Sequence, residues 1–188
     1  MSSFEYVSVL ASIIVGFAIS DMLRSLQMLL RARRKVKWDW ALPLLAVLVL
    51  MSIVMVWWLL YEPVARPITI GEFLPLLVEL VLLSLLASAV FPDEIGEGGV
   101  DLKAYYDDNA GLIWLLFAAA VGWLSAIDVA QRLGAGERAS AALTEQLVEI
   151  FIFAVMVSLA FVRKRWWHAI GFAILASGPI FWVSRSLG

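Results

Sequence analysis

Residues 40–61 read WALPLLAVLVLMSIVMVWWLLY and contain no charged side chain. A helix needs about 20 apolar residues to cross the roughly 30 Å hydrocarbon core of a bilayer. Strands that cross a membrane alternate polar and apolar side chains, and this stretch does not alternate. Tryptophans at both ends are typical of residues that lie at the membrane interface. The stretch therefore predicts a transmembrane α-helix.

Five further apolar stretches lie on either side of it, at about 4–30, 73–91, 111–130, 143–162 and 166–183. The whole chain is 63% hydrophobic and 16% charged, with a mean hydropathy of +0.92. Soluble domains are about one half apolar and one quarter charged. We therefore predict an all-α polytopic membrane protein, with six transmembrane helices in a single domain over residues 1–188 and the lipid bilayer as its partner.

Composition and motifs exclude several other classes of protein. A net charge of −2 gives no field that would attract nucleic acid. Without cysteine, and with His168 as the single histidine, the chain has no thiolate site and no histidine pair for haem or metal. No glycine-rich phosphate loop and no paired nucleophile and base occur. We therefore expect no enzyme activity, no catalytic residue, no metal and no cofactor.

The basic residues predict the orientation of the six helices. Ten of the 14 lysines and arginines fall on the side that holds the loops after the first and fifth stretches. Because cytoplasmic loops of membrane proteins carry an excess of lysine and arginine, this side should be cytoplasmic. With an even number of spans, both termini should lie outside the cytoplasm.

Small residues recur every four positions in two of the stretches and predict helix packing. Lipid tails are as apolar as leucine, so close contact between membrane helices relies on small residues. We expect the first and fourth helices to be central, either touching each other or touching a second copy in a homo-oligomer or another membrane subunit. The two stripes are Ser8, Ser12, Gly16 and Ser20, and Ala118, Gly122, Ala126 and Ala130.

The first and fourth stretches also share a pattern of Val-Gly-aromatic followed by an acid and an arginine. Asp21 and Arg24 end this pattern in the first stretch, and Asp128 and Arg132 end it in the fourth. Three spans separate the two patterns, as in a three-plus-three inverted repeat. Shared apolar composition explains the likeness equally well. We expect each acid to form a structural ion pair with its arginine, about one helical turn away.

Acidic residues inside apolar stretches are the main candidates for a functional site, because charge is costly there. Glu79 lies about 10 Å into the third stretch at roughly 1.5 Å per residue, and Glu72 precedes it on the same helical face. Glu149 and Asp128 lie in the same outer half of the predicted protein. Together they could line a path for protons or cations. Alternatively, Glu72 and its neighbours at helix ends are simply solvated.

Several short motifs resemble a group of small bacterial multi-span inner-membrane proteins with no assigned activity. They are Phe4-Glu5, the arginine-rich first loop, Trp57-Trp58, Phe91-Pro92-Asp93, Val100-Asp101-Leu102 and Tyr105-Tyr106. The resemblance covers about the first 110 residues. It implies a location in the bacterial inner membrane and implies no mechanism.

Two functions follow from these observations. The buried acids and the repeat favour a small transport protein, a channel or carrier for protons, cations or a small solute. The short loops and the lack of a substrate-binding motif are also compatible with a non-catalytic accessory subunit of a larger membrane complex.

Overall fold

A computed structural model describes residues 3–59 and 70–183, which are almost entirely helical. Within these residues the helices are α1 (Ser3–Arg31), α2 (Ala41–Leu59), α3 (Ile70–Ala89), α4 (Leu102–Gly134), α5 (Ala139–Glu145), α6 (Leu147–Phe161) and α7 (Arg165–Val183). Two short strands, β1 (Val36–Lys37) and β2 (Val100–Asp101), pair in parallel. The all-α class that the sequence predicts is confirmed.

Three of these helices are long and apolar enough to cross a bilayer: Val7–Arg31 of α1, Ala41–Trp58 of α2 and the whole of α4. Helices α5 and α6 make a fourth if they are counted as one span bent by 63°. The apolar part of α3, Phe73–Ala89, is shorter. The apolar helices are compatible with a membrane protein by length and composition, and the six-span arrangement is a finer statement that we take up below as a proposal.

Helix α4 lies at the centre of the described bundle, between α3 and α6, while α1 packs mainly on α3 and then on α2. It begins nine residues before the predicted stretch because Asp101 caps it. The Asp101 carboxylate accepts hydrogen bonds from the backbone N–H groups of Lys103 and Ala104 at 3.0 and 3.1 Å. The backbone N–H groups of the first turn have no partner within the helix, and an N-cap side chain accepts hydrogen bonds from them. The bond from Ala104, with smaller contributions from Lys37 and Lys103, lowers the pKa of this carboxyl.

The small-residue stripe of α1 lies beside the face that packs on α3, and within the chain it contacts α2 through a hydrogen bond from Trp57 Nε1 to Ser12 Oγ at 3.3 Å. The buried residues of α1 are Ala11, Ala18, Met22, Ser25 and Leu29, whereas Ser12, Gly16 and Ser20 are exposed. A Cβ added to Gly16 would meet no atom within 4 Å. The expectation that α1 is central through this stripe is therefore wrong for the single chain, because larger side chains on the neighbouring face meet α3. A second copy or another subunit stays the other predicted partner of the stripe.

In the corresponding stripe of α4, Ala118 and Gly122 pack inside the chain, whereas Ala126 and Ala130 are exposed. Ala118 is buried, and a Cβ on Gly122 would lie 2.8 Å from the ring of Phe153 on α6. Gly111 lies near the carbonyl of Ala160 in the same way. The absence of a side chain at Gly122 thus lets an aromatic ring of α6 approach the backbone of α4. Ala126 lies further along the same face, where the two helices diverge around a pocket.

Candidate functional site

The end of the bundle where α4 ends and α6 begins, here called the acidic end, is held by Arg132. Its Nε donates to Asp128 Oδ2 at 2.7 Å, so the predicted pair within α4 is formed. Its Nη1 also pairs with Glu145 on α5 and lies 3.6 Å from Glu137. Three carboxylates therefore surround a single guanidinium. The cluster fastens α5 to α4 and retains an excess of negative charge.

The chain bends by 63° at Gln146, between α5 and α6. This residue has φ −93° and ψ 9°, outside the helical range, and its Nε2 donates to Asp128 Oδ2 at 2.5 Å. The side chain is 8% exposed, and its Oε1 has no hydrogen-bond partner among the described residues. The single apolar stretch predicted over 143–162 is therefore two helices, because this amide bonds to α4 at the point where the helix axis changes direction.

A pocket of about 420 Å³ lies between α4 and this bend. The acceptor Oε1 of Gln146 and the buried Oε2 of Glu149, which also has no partner within the described chain, belong to residues that line it. Buried acceptors without a donor are costly, so they favour a ligand that supplies N–H or O–H groups or a cation. The rest of the wall is mostly apolar and includes Gly122, Ala126, Val129, Leu133, Ile150 and Phe153.

Glu79 lies deeper in the bundle and is 2% exposed. Its Oε2 has no hydrogen-bond partner, and no cation of the described residues lies within 4.0 Å of the carboxylate. Trp123 of α4 donates from Nε1 to the carbonyl of Pro75 at 2.8 Å, one turn before Glu79. Because Trp123 follows Gly122 in the pocket wall, Glu79 lies roughly one helical turn, about 5 Å, beyond the level of the pocket. It does not itself line the pocket.

The remaining predicted site residues are Glu72, Asp21 and Arg24. Glu72 lies in α3, and its side chain is outside the described part of the chain. No ion pair within 4.0 Å joins Asp21 to Arg24 in the residues described. Both are exposed on α1, where water solvates each charge and an ion pair gains little. The structure therefore brings together Asp128, Arg132 and Glu149 at the acidic end and leaves the Asp21–Arg24 pair unformed.

The opposite end of the bundle, here called the basic end, contains a buried hydrogen-bond chain that the sequence did not reveal. Trp114 Nε1 donates to Tyr106 Oη at 2.9 Å, and Tyr106 Oη lies 2.5 Å from His168 Nδ1. His168 Nε2 lies 2.8 Å from the carbonyl of Val162, which can only accept. His168 therefore carries its proton on Nε2, and its Nδ1 accepts a hydrogen bond from the Tyr106 hydroxyl. Every member of this hydrogen-bond chain has a partner, so the chain locks α4 to α7.

Arg165 joins three elements beside this chain. It donates from Nη2 to both carboxylate oxygens of Asp39 and from Nη1 to Asp107 at 3.2 Å. Its guanidinium also lies 5.5 Å from the ring centroid of Trp40. Partial burial raises the pKa of Asp39, but the hydrogen bonds from Arg165 and from the backbone of Ala41 outweigh it and hold this pKa below its usual range. The sequence alone did not single out Arg165, Asp39 or Asp107, because each is one charged residue among many.

No protein-family model, no curated protein and no solved structure matches this chain. No group of three or more histidine, cysteine, aspartate or glutamate side chains suited to a metal ion occurs in the part of the chain that the structure describes. The acidic end and Glu79 are the features of the described structure that bear on function.

Proposed function

We propose that the protein is a small integral membrane transport protein, a channel or carrier for protons, cations or a small solute. In this proposal six helices span a bacterial inner membrane, both termini lie outside the cytoplasm, and the acidic end faces outwards. The positive-inside bias of the loops supports this orientation. No catalytic step is part of the proposal.

The observation that carries the proposal is the buried carboxylate of Glu79. An ionised carboxylate that is 2% exposed and has no partner among the described residues is unfavourable in an apolar environment. The group is stabilised when it takes up a proton or when a cation binds it. A protein that keeps such a group on α3, and a pocket with acceptor oxygens on the other side of α4 and about one turn nearer the acidic end, has the elements of two binding sites at different depths.

The acidic end supplies the first of these two sites. Gln146 Oε1 and Glu149 Oε2 give two buried acceptors in a pocket wide enough for a small molecule. The nearby carboxylates of Asp128 and Glu145 raise the local concentration of cations, since a cleft lined by one sign of charge attracts the opposite sign. A protonated or cationic solute would enter here and then exchange its proton or charge with Glu79.

Flux measurements on the purified chain test the role of Glu79. The protein is reconstituted into liposomes that contain a pH-sensitive dye, and proton flux is followed after a pH jump, with Na⁺ and K⁺ gradients run alongside. Glu79→Gln keeps the size of the side chain but cannot exchange a proton, so we expect flux to fall by roughly tenfold or more. Glu79→Asp should retain partial flux, and Glu149→Gln should lower flux less.

The matched control is Glu97→Gln, which removes one carboxylate from an exposed loop and should leave flux unchanged. Thermal unfolding of each variant in detergent shows whether lost flux reflects lost structure. Unchanged flux and stability in Glu79→Gln would exclude the transport proposal in this form.

A non-catalytic accessory subunit is the second candidate, and the exposed face of α1 favours it. Phe17 is 72% exposed, and the neighbouring Gly16 leaves open space beside the helix. Such a surface suits close contact with another membrane helix. Mass spectrometry of proteins that co-purify from native membranes, with wild type and Gly16→Leu compared, tests this candidate, because the larger side chain should release a partner held at this face.

A further inference from the structure

A cleft of about 1290 Å³ opens at the basic end, away from Glu79 and from the acidic end. One wall is the last three turns of α1 with the turn that follows it, and the other is formed by Ser88, Asp93, Ile95 and Gly96 at and after the end of α3. Five cationic side chains line it: Arg24, Arg31, Arg33, Arg34 and Lys35.

These five cationic side chains differ from Arg132 and Arg165 in the carboxylates that surround them. Arg132 and Arg165 each pair with two or more carboxylates. Within the described residues, by contrast, no carboxylate lies within 4.0 Å of the charged group of any of the five. Asp21 and Asp93 also line the cleft, so the cleft retains an excess of about three positive charges near neutral pH.

The two walls are fastened to each other by the backbone. Val36 pairs with Val100 and Lys37 with Asp101 in the parallel strand pair. The side chains of the second pair lie 3.5 Å apart as an ion pair. Gly99 makes this approach possible: its φ is +89°, and an added Cβ would lie 2.1 Å from the carbonyl oxygen of Lys35. Arg33, Arg34 and Lys35 therefore lie on a turn that the strand pair holds against the opposite wall.

We infer that this cleft binds a phosphate-bearing anion, either the headgroup of an anionic lipid or a soluble phosphate ester. Guanidinium groups bind phosphate through paired charged hydrogen bonds, and Ser25, which is 9% exposed, adds a hydroxyl to the floor. The cleft lies where the apolar helices α1 and α3 end, which is the depth of lipid headgroups if these helices cross a membrane. Met28 and Ile95 give it an apolar portion suited to the first part of an acyl chain.

Binding to the full-length protein in a neutral detergent tests the inference. Titrations with inorganic phosphate, dioctanoyl phosphatidylglycerol and dioctanoyl phosphatidylcholine are followed by calorimetry at constant ionic strength. We expect one of the two anions to bind, and the zwitterionic lipid to bind far more weakly. Arg33→Gln/Arg34→Gln should weaken the affinity roughly tenfold or more, because each guanidinium donates charged hydrogen bonds to the phosphate.

The matched control is Arg163→Gln/Lys164→Gln, which removes the same charge from exposed positions outside the cleft and should leave the affinity unchanged. Arg31→Gln, at the end of α1, gives a second variant should the double variant unfold. Tight binding of phosphatidylglycerol alone identifies a lipid headgroup, and equal binding of inorganic phosphate identifies a soluble ester. If neither anion binds, or if both double variants weaken binding equally, the cations act only in orienting the chain and the inference is wrong.

Discussion

Gly99 is the residue at which local backbone geometry has the clearest consequence for the basic end. An alanine at φ +89° is strained, and its Cβ would overlap the carbonyl oxygen of Lys35. We expect Gly99→Ala to lower the free energy of unfolding by roughly 1–3 kcal/mol and to weaken anion binding in the cleft. Thermal unfolding in detergent, read by tryptophan fluorescence, measures the first effect.

Gly98→Ala is the control for this residue. Gly98 has no atom within 4 Å of an added Cβ and no positive φ, so the change should be neutral or slightly stabilising. Equal stability of the two variants would show that the strand pair is not maintained in solution.

At the same scale, the sequence identified Glu79 as the deepest acid, because its position in an apolar stretch is visible without a structure. It could not identify Gln146, whose importance comes from a bend and from an amide that reaches α4. A hydropathy pattern marks Gln146 as polar but does not show which group its amide binds. The lone His168 was visible, but its bonds to Tyr106 and Val162 depend on how α4 and α7 pack.

Among the elements, the contact between α4 and α6 is the one most sensitive to side-chain volume. In Gly122→Leu the new side chain must displace the ring of Phe153, so we expect a loss of about 1–3 kcal/mol in stability. Gly16→Leu adds the same side chain to open space on α1 and should leave the stability of the single chain unchanged or raised. Thermal unfolding and size-exclusion chromatography in detergent compare the two. A larger effect at Gly16 would indicate that α1 is buried in an oligomer.

The ion pair between Asp39 and Arg165 links the segment before α2 to the start of α7. Asp39→Asn should cost about 2 kcal/mol at neutral pH, in the range of a charged hydrogen bond. Because the pKa of Asp39 is lowered in the folded protein, its contribution to stability is present above the usual pKa of an aspartate. It is lost as the pH falls below about 4.

Unfolding of wild type and Asp39→Asn at pH 7 and at about pH 3 measures this effect. The difference between them should shrink as the acid range is entered, whereas a constant difference would mean that the charge of Asp39 plays no part. Lys103, whose charge also lowers this pKa, should have a smaller effect on substitution to glutamine.

The positions of the long helices could be predicted because apolar length alone determines where a helix can cross a bilayer. The faces on which they pack could not. In α1 a regular stripe of serines and glycine is exposed while Ala11, Ala18 and Met22 are buried. Spacing shows which residues share a face and does not show which face meets α3. The bend at Gln146 was missed for a related reason, since a hydropathy pattern does not show where a helix axis changes direction.

For the whole molecule, the proposed orientation is the property that is easiest to test. The chain contains no cysteine, so a single cysteine gives a clean signal with a membrane-impermeant thiol reagent. Ser140→Cys, exposed at the acidic end, should react in intact cells, and Lys164→Cys, exposed at the basic end, should react only after the membrane is opened. Val36 on the same side is unsuitable because it is 8% exposed. The reverse pattern would place both termini in the cytoplasm.

The inverted repeat is also a property of the whole molecule, and it stays a prediction. Its two halves differ in detail: Arg132 pairs with Asp128, whereas Arg24 lies in the basic cleft and no ion pair joins it to Asp21. The order of the helices could still repeat despite these differences. The side chains at corresponding positions, however, do not play equivalent roles in the two halves.

The described bundle is fastened unequally along its length. At the basic end a strand pair, the Arg165 bonds and the chain through His168 connect segments that are far apart in sequence. At the acidic end the ties of α5 to α4 run mainly through Arg132, and α6 begins at a bend. Stiffness is therefore graded from one end to the other. We expect the thermal motion of the helices to be largest at the acidic end. The pocket beside Gln146 should therefore change its width, while the cleft at the basic end keeps its shape.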